Sequence, residues 1–193
     1  EVARFSMSSH IWWYLSRASG FVSLSCLVAS CSLGILLATR VLKPHDRPAW
    51  LLSLHRHLSA VFLVMLVIHL TGLYMDNYVG FSFGALLVPG RSKWRPIGVS
   101  FGVVAMYFAL VVQVTSLMMR KLPRRLWRAL HMFSYVSLVL VAIHTIQSGT
   151  DARTQTFAMA GTSAAAVFLL LVGVRLLHLR EPRQKERINP TPR

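Results

Sequence analysis

Histidines are the residues here with the clearest capacity for chemistry. The chain has eight, and five of them, His55, His57, His69, His131 and His144, fall in two long, mostly apolar helical stretches. Ionisable side chains in such stretches are costly and functional by default, and a neutral imidazole nitrogen is the commonest protein ligand for a metal. His55 and His69 are 14 residues apart. On a helix turning about 100° per residue they differ by only about 40°, so they share one face at about 21 Å separation. His57 precedes His69 by 12 and points about 120° away. His55 is therefore the expected ligand and His57 the lesser candidate. His131 and His144 are 13 apart, an offset of about 140° on an ideal helix. Either that helix is locally tightened or the two rings reach their ligand from different sides; the spacing leaves both open. His10, His45 and His178 fall at ends or in loops and read as interfacial polar residues.

The elements that must position these rings follow from the charges. Lys+Arg number 21 and Asp+Glu 6, a net +15, while 54% of residues are hydrophobic and only 14% charged. A soluble domain carries about a quarter charged residues, and a disordered chain has far less apolar content. Cys26 and Cys31 are too few for a disulfide scaffold, and without a CxxCH a covalent c-type haem is not expected. Residues 18–39, 57–75, 96–119, 129–150 and 154–174 contain no charge at all. Each gap has about the 20 residues that a membrane-crossing helix needs. The expected fold is all-α, a polytopic bundle of five transmembrane helices, the first beginning near Ile11. That span is too long for the apolar core of a cleaved signal peptide. The sequence opens on Glu1, so an initiator methionine is expected upstream. Residues 77–90, with Gly80, Gly84, Pro89 and Gly90, read as an interfacial or re-entrant loop. Residues 1–178 form the expected membrane domain and residues 179–193 a basic tail.

Basic residues set the expected orientation. Arg40, Lys43, Arg47 and Arg56 follow the first span, Arg120 to Arg128 the third, and Arg180 to Arg193 the fifth. Cytoplasmic loops collect such residues, which puts the N-terminus outside and the C-terminus in the cytoplasm. The positive balance then reads as topology and attraction to anionic lipid. Nucleic acid is not an expected partner, because the basic residues are split among short loops with no reading module.

Depth supplies a second constraint on the histidines. Arg56 directly follows His55, and Asp76 lies seven after His69; Arg128 lies three before His131, and Asp151 seven after His144. Both helices run the same way, so His55 and His131 share an inner level and His69 and His144 an outer one. Two opposed imidazoles per level suit the axial positions of a six-coordinate haem b. Unpaired polar residues that merely stabilise packing would not be expected in two level-matched pairs. Zinc wants three or four ligands in one cluster, and a proton relay would want a carboxylate in the spans.

These residues resemble the ferric-reductase-like transmembrane domain family, which includes the membrane part of NADPH oxidases and ferric reductases. The likeness rests on WYLSRASG at 13–20, on His55 through His69, and on LWRALH at 126–131 running on to His144. The 13 spacing is itself a feature of the oxidase branch. The likeness extends to short bacterial members without a flavin domain, which implies a bacterial cytoplasmic membrane. The resemblance implies two haem b groups, an inner one between His55 and His131 and an outer one between His69 and His144. It implies that Arg17 lies near the outer haem, by its propionates or the acceptor site. Arg56 and Arg128 are candidates for inner propionates, since arginine suits bidentate carboxylate contacts; positive-inside anchoring is the bland alternative. Relatives often carry an aromatic between the haems. The position six after His131 is Ser137, so that feature is missing or falls to Phe62, Phe133 or Tyr135.

The expected function is a di-haem cytochrome passing single electrons across the bilayer. Its donor would be a separate cytoplasmic flavin reductase or quinol, and its acceptor a ferric chelate, oxygen or periplasmic partner outside. No GxGxxG occurs in the sequence, so flavin or NAD(P)H is expected only on a partner, and no catalytic residue is assigned. A second reading is an electron-donating subunit of a larger complex, similar to the haem-binding membrane subunit of methionine sulfoxide reductase systems. A third is a non-redox membrane protein with structural histidines. The third and fifth spans, and small residues such as Ser30, Gly34 and Gly161, read as close-packing walls.

Overall fold

The computed structural model describes residues 10–43, 45, 47–150 and 154–180, with side chains up to 177. The expected tail at 179–193 lies outside them beyond residue 180, as do Asp46, Asp151 and Arg153. Helices account for the fold: α1 (Ile11–Thr39), α2 (Pro48–Met75), α3 (Phe83–Leu87), α4 (Pro96–Leu117), α5 (Arg124–His131), α6 (Phe133–Ser148) and α7 (Gln155–Arg180). Five are long and apolar enough to cross a membrane, with α5 and α6 counted together as Arg124–Ser148.

Local chemistry sets the ends. α2 and α4 each begin with proline in the first turn, where the missing N–H is not needed. α1 stops at Arg40, which is left-handed at φ 54. The loop expected at 77–90 is a short structured piece: Ser82 caps α3 by accepting from the Ala85 N–H at 3.2 Å, and Phe81, Ala85 and Leu86 are buried. Several hydroxyls within the spans are satisfied on their own helix. Ser19, Ser32, Thr39, Ser59 and Thr71 each donate to the carbonyl four residues back, a partner that needs no water.

The helices pack as two hairpin-like pairs, α1 along α2 and α4 along α6, with α7 laid against α1. Close approach uses small residues. A β-carbon on Gly72 would stand 2.9 Å from the Ser16 Cβ. One core cluster gathers Cys26, Leu27, Cys31, Phe62, Ala109 and Leu138; a second gathers Phe81, Ala85, Leu86, Val99, Val103 and Met106. Outward faces carry exposed Val, Leu and Ile, among them Val64, Val67, Leu117, Val139 and Leu169. That pattern suits lipid rather than water, because the backbone is satisfied within each helix.

Between His131 and Met132 the fourth span changes pitch. Met132 has φ −65 and ψ −19. Its N–H is shared between the Arg128 and Ala129 carbonyls at 3.2 Å, and Tyr135 N–H returns to the Met132 carbonyl at 3.1 Å. Such three-residue bonds tighten the helix to about 120° per residue. Each residue so wound adds about 20°, which acts to reduce the 140° offset of His131 and His144. Local tightening, one of the two alternatives that the 13 spacing left open, is present at this turn.

Candidate functional site

Each of the four span histidines turns one ring nitrogen onto the neighbouring helix. His69 Nδ1 lies 2.7 Å from the Ser16 carbonyl and His55 Nδ1 2.9 Å from the Ser30 carbonyl, both on α1. His144 Nδ1 lies 2.8 Å from the Gly98 carbonyl on α4. A carbonyl only accepts, so these three rings carry their proton on Nδ1 and keep the Nε2 lone pair free to bind a metal. His131 Nδ1 meets the Ser116 hydroxyl of α4 at 3.3 Å.

The acceptors repeat a pattern. Four residues beyond each carbonyl stands a glycine: Ser16 with Gly20, Ser30 with Gly34, Gly98 with Gly102. A β-carbon on Gly20 would stand 3.0 Å from His69 Nδ1, one on Gly102 2.7 Å from His144 Nδ1, and one on Gly34 3.7 Å from His55 Cε1. The glycines leave room for the rings. The two α1 units are 14 apart, as are His55 and His69 on the antiparallel α2. This was the signal in the sequence for the ring acceptors. The letters Ser30 and Gly34 had suggested only a packing surface.

At one level, His55 and His131 face each other with ring centres 6.2 Å apart and planes at 59°. Ser30 Oγ adds a contact to His55 Nδ1 at 3.0 Å and binds Ser59 Oγ at 2.8 Å. Trp127 lies along His131, ring centres 5.2 Å apart, and its Nε1 is buried without a hydrogen-bond partner. At the other level, His69 and His144 line one cavity of about 190 Å³ together with Arg17, Phe62, Trp94 and Ser148. A water needs on the order of 10–15 Å³ of such space, so the cavity admits a much larger group.

The remaining candidates separate. His57 is exposed, and its Nδ1 bonds the Ser53 carbonyl of its own helix at 2.7 Å. Arg17 is half-buried over the Trp13 ring at 5.7 Å. Arg56 and Arg128 are exposed. Phe62 is buried and stands seven residues from both His55 and His69, on their face and about 10 Å from each along the axis. Phe133 packs instead on Phe108, and Tyr135 on Phe168. Ser137 is fully buried and donates to the Ala105 carbonyl at 2.9 Å, tying α6 to α4. Thus α4, read from sequence as a wall, also supplies a partner to both histidines of the fourth span. Among the described residues no three of His, Cys, Asp or Glu come together as a metal cluster.

A family model described as ferric reductase like transmembrane component matches residues 19–142. The matched stretch includes His55, His69 and His131 and stops two residues before His144; Arg17 lies two residues ahead of it. No curated protein and no solved structure matches the chain.

Proposed function

The chain belongs to the ferric reductase-like transmembrane component family, and from that premise we propose a di-haem b-type cytochrome that moves single electrons across the bilayer. It is an integral membrane protein with five candidate spans, and membrane haem electron transfer in general is what its family implies. One observation carries the two-level reading. Three Nδ1 atoms donate to main-chain carbonyls of helices flanking the bundle, which leaves Nε2 for a ligand between the paired helices.

The residues fit haem. Two imidazoles sharing one metal at about 2 Å from each nitrogen have ring centres about 6 Å apart, as His55 and His131 do at 6.2 Å. The outer cavity is mostly apolar, with glycine cradles behind His69 and His144. Bound haem would supply one-electron chemistry at a six-coordinate iron. The chain's part is to hold and tune it. His55 and His131 would hold the inner group, and His69 and His144 the outer. Nδ1–H donation fixes each ring's orientation and raises the basicity of Nε2. Arg17, on the outer cavity wall, offers a fork of donors to a propionate or an anionic acceptor. Arg56 and Arg128, exposed at the inner ends, suit propionates or lipid headgroups. Phe62, midway along α2, offers the aromatic side chain between the two levels.

The distribution of basic residues supports a cytoplasmic inner level and an extracytoplasmic N-terminus. On that reading a cytoplasmic flavin reductase or quinol would be the electron donor at the level of His55 and His131. A ferric chelate, oxygen or a protein partner outside would be the acceptor at the level of His69 and His144. We assign the chain to a bacterial cytoplasmic membrane on its likeness to short bacterial members.

Purified protein in mild detergent tests this by haem per chain and a reduced-minus-oxidised spectrum. Close to two b-type haems are expected. His55→Ala and His131→Ala should each lose the inner group, and His69→Ala and His144→Ala the outer. A well-folded, colourless protein from haem-replete cells overturns the proposal. Copurification of a soluble enzyme would identify the chain as an electron-donating subunit.

A further inference from the structure

Arg175 is a charged residue inside α7, and it is turned toward the helix that follows His131. Its Nη1 donates to the Tyr135 hydroxyl at 2.6 Å, its Nη2 reaches Met132 Sδ at 3.6 Å, and its guanidinium carbon stands 5.5 Å from the Tyr135 ring centre. Met132 directly follows His131, and Tyr135 lies one helical turn beyond it. The ordinary role of an arginine near a span end is to reach along the membrane toward the headgroups. This one is half-buried and docked sideways on the turn that carries an inner histidine.

Its contacts do not neutralise it. Tyr135 and Met132 are uncharged acceptors, and a guanidinium has five N–H donors in a fixed fork. A charge held away from water is stabilised by a paired opposite charge. Among the described residues the acid is Asp76, at the opposite end of α2 from His55. Arg175 is therefore an anchored cation with no acid beside it among the described residues.

We infer that Arg175 is an anion-binding residue of the inner site, pairing with a carboxylate of the haem held by His55 and His131. The inference rests on the two-haem reading. Tyr135 is the positioning residue that holds the guanidinium in place. A fixed positive charge beside the inner group favours its reduced form, which carries one positive charge fewer, and so raises its midpoint potential relative to a variant without the charge.

The test is a spectroelectrochemical titration of purified protein, with the inner haem isolated by His69→Ala. Arg175→Met is expected to weaken reduction of the inner haem about tenfold, a fall of about 59 mV for one electron. Arg175→Lys should restore most of the fall, and Tyr135→Phe should give a smaller fall in the same direction. The outer haem, read in His131→Ala, should not move. If Arg175→Met does not fold, Arg175→Lys and Tyr135→Phe still decide. An inner midpoint unmoved in every variant that folds would make Arg175 an interface anchor and overturn the inference alone. A wild-type protein with no haem would overturn the two-haem reading as well, before any variant is made.

Discussion

Gly102 lies so close to His144 that a β-carbon there would stand 2.7 Å from Nδ1 and 2.9 Å from Cε1. At Gly20 the approach to His69 Nδ1 is 3.0 Å, and at Gly34 the approach to His55 Cε1 is an ordinary 3.7 Å. Alanine should therefore act in that order. Gly102→Ala is expected to lose most of the outer haem, Gly20→Ala part of it, and Gly34→Ala little of the inner one. Haem content by absorbance gives the ranking. Equal retention in all three would mean that the glycines serve only helix packing.

His55 and His57 offer a sharp comparison. Both bond a serine carbonyl through Nδ1, but His55 crosses to α1 while His57 bonds within its own helix and is exposed. His57→Ala should keep both haems and the wild-type spectrum, while His55→Ala loses the inner one. Loss of a haem in His57→Ala would reassign the ligand.

The tight turn at Met132 makes the 13 spacing work. Inserting one alanine after Met132 would lengthen it to 14, the spacing of the other pair. Yet the insertion would turn α6 by about 100° and shift it about 1.5 Å relative to α5. His144 would then leave the Gly98 carbonyl, or His131 the Ser116 hydroxyl. One of the two haems should be lost, and a spectrum with both intact would show that the turn does not set the register.

Ser137 is fully buried and joins α6 to α4 through the Ala105 carbonyl. Hydrogen bonds between membrane helices average about 0.6 kcal/mol. Ser137→Ala should lower thermal stability by roughly that amount, up to about 1.5 kcal/mol, with haem content unchanged. A melting curve followed by haem absorbance measures it. Loss of haem at unchanged stability would give Ser137 a role at the site instead.

How much of this was legible in the sequence differs from residue to residue. The five spans stand out because a charge in hydrocarbon is expensive, so the gaps between charges mark the helices. α4 begins at Pro96, where its gap begins, whereas α2 begins nine residues before its gap, at Pro48. Arg56 is carried inside that helix because it is exposed near one end. The matched histidine levels were legible because charges flank both helices at similar distances. The turn at Met132 was not, since nothing in the residue types there marks a change of helix pitch. The ring acceptors were hidden for a simpler reason: every residue has a carbonyl. Arg175 read as the end of a charge gap, and only the folded chain brings it onto Tyr135.

Backbone acceptors also change how this site responds to drift. Three of the four rings are oriented by main-chain oxygens, atoms that no substitution removes. Ser16 and Ser30 can change identity and still present the same oxygen. Damage will come mainly from added bulk behind a ring, and seldom from a lost functional group. A deep mutational scan of α1 and α4 should then show Gly20 and Gly102 intolerant of any added side chain, alongside the buried packing positions of both helices. Truncation of Ser16 or Ser30 to alanine would leave in place the carbonyl that turns the histidine ring facing it.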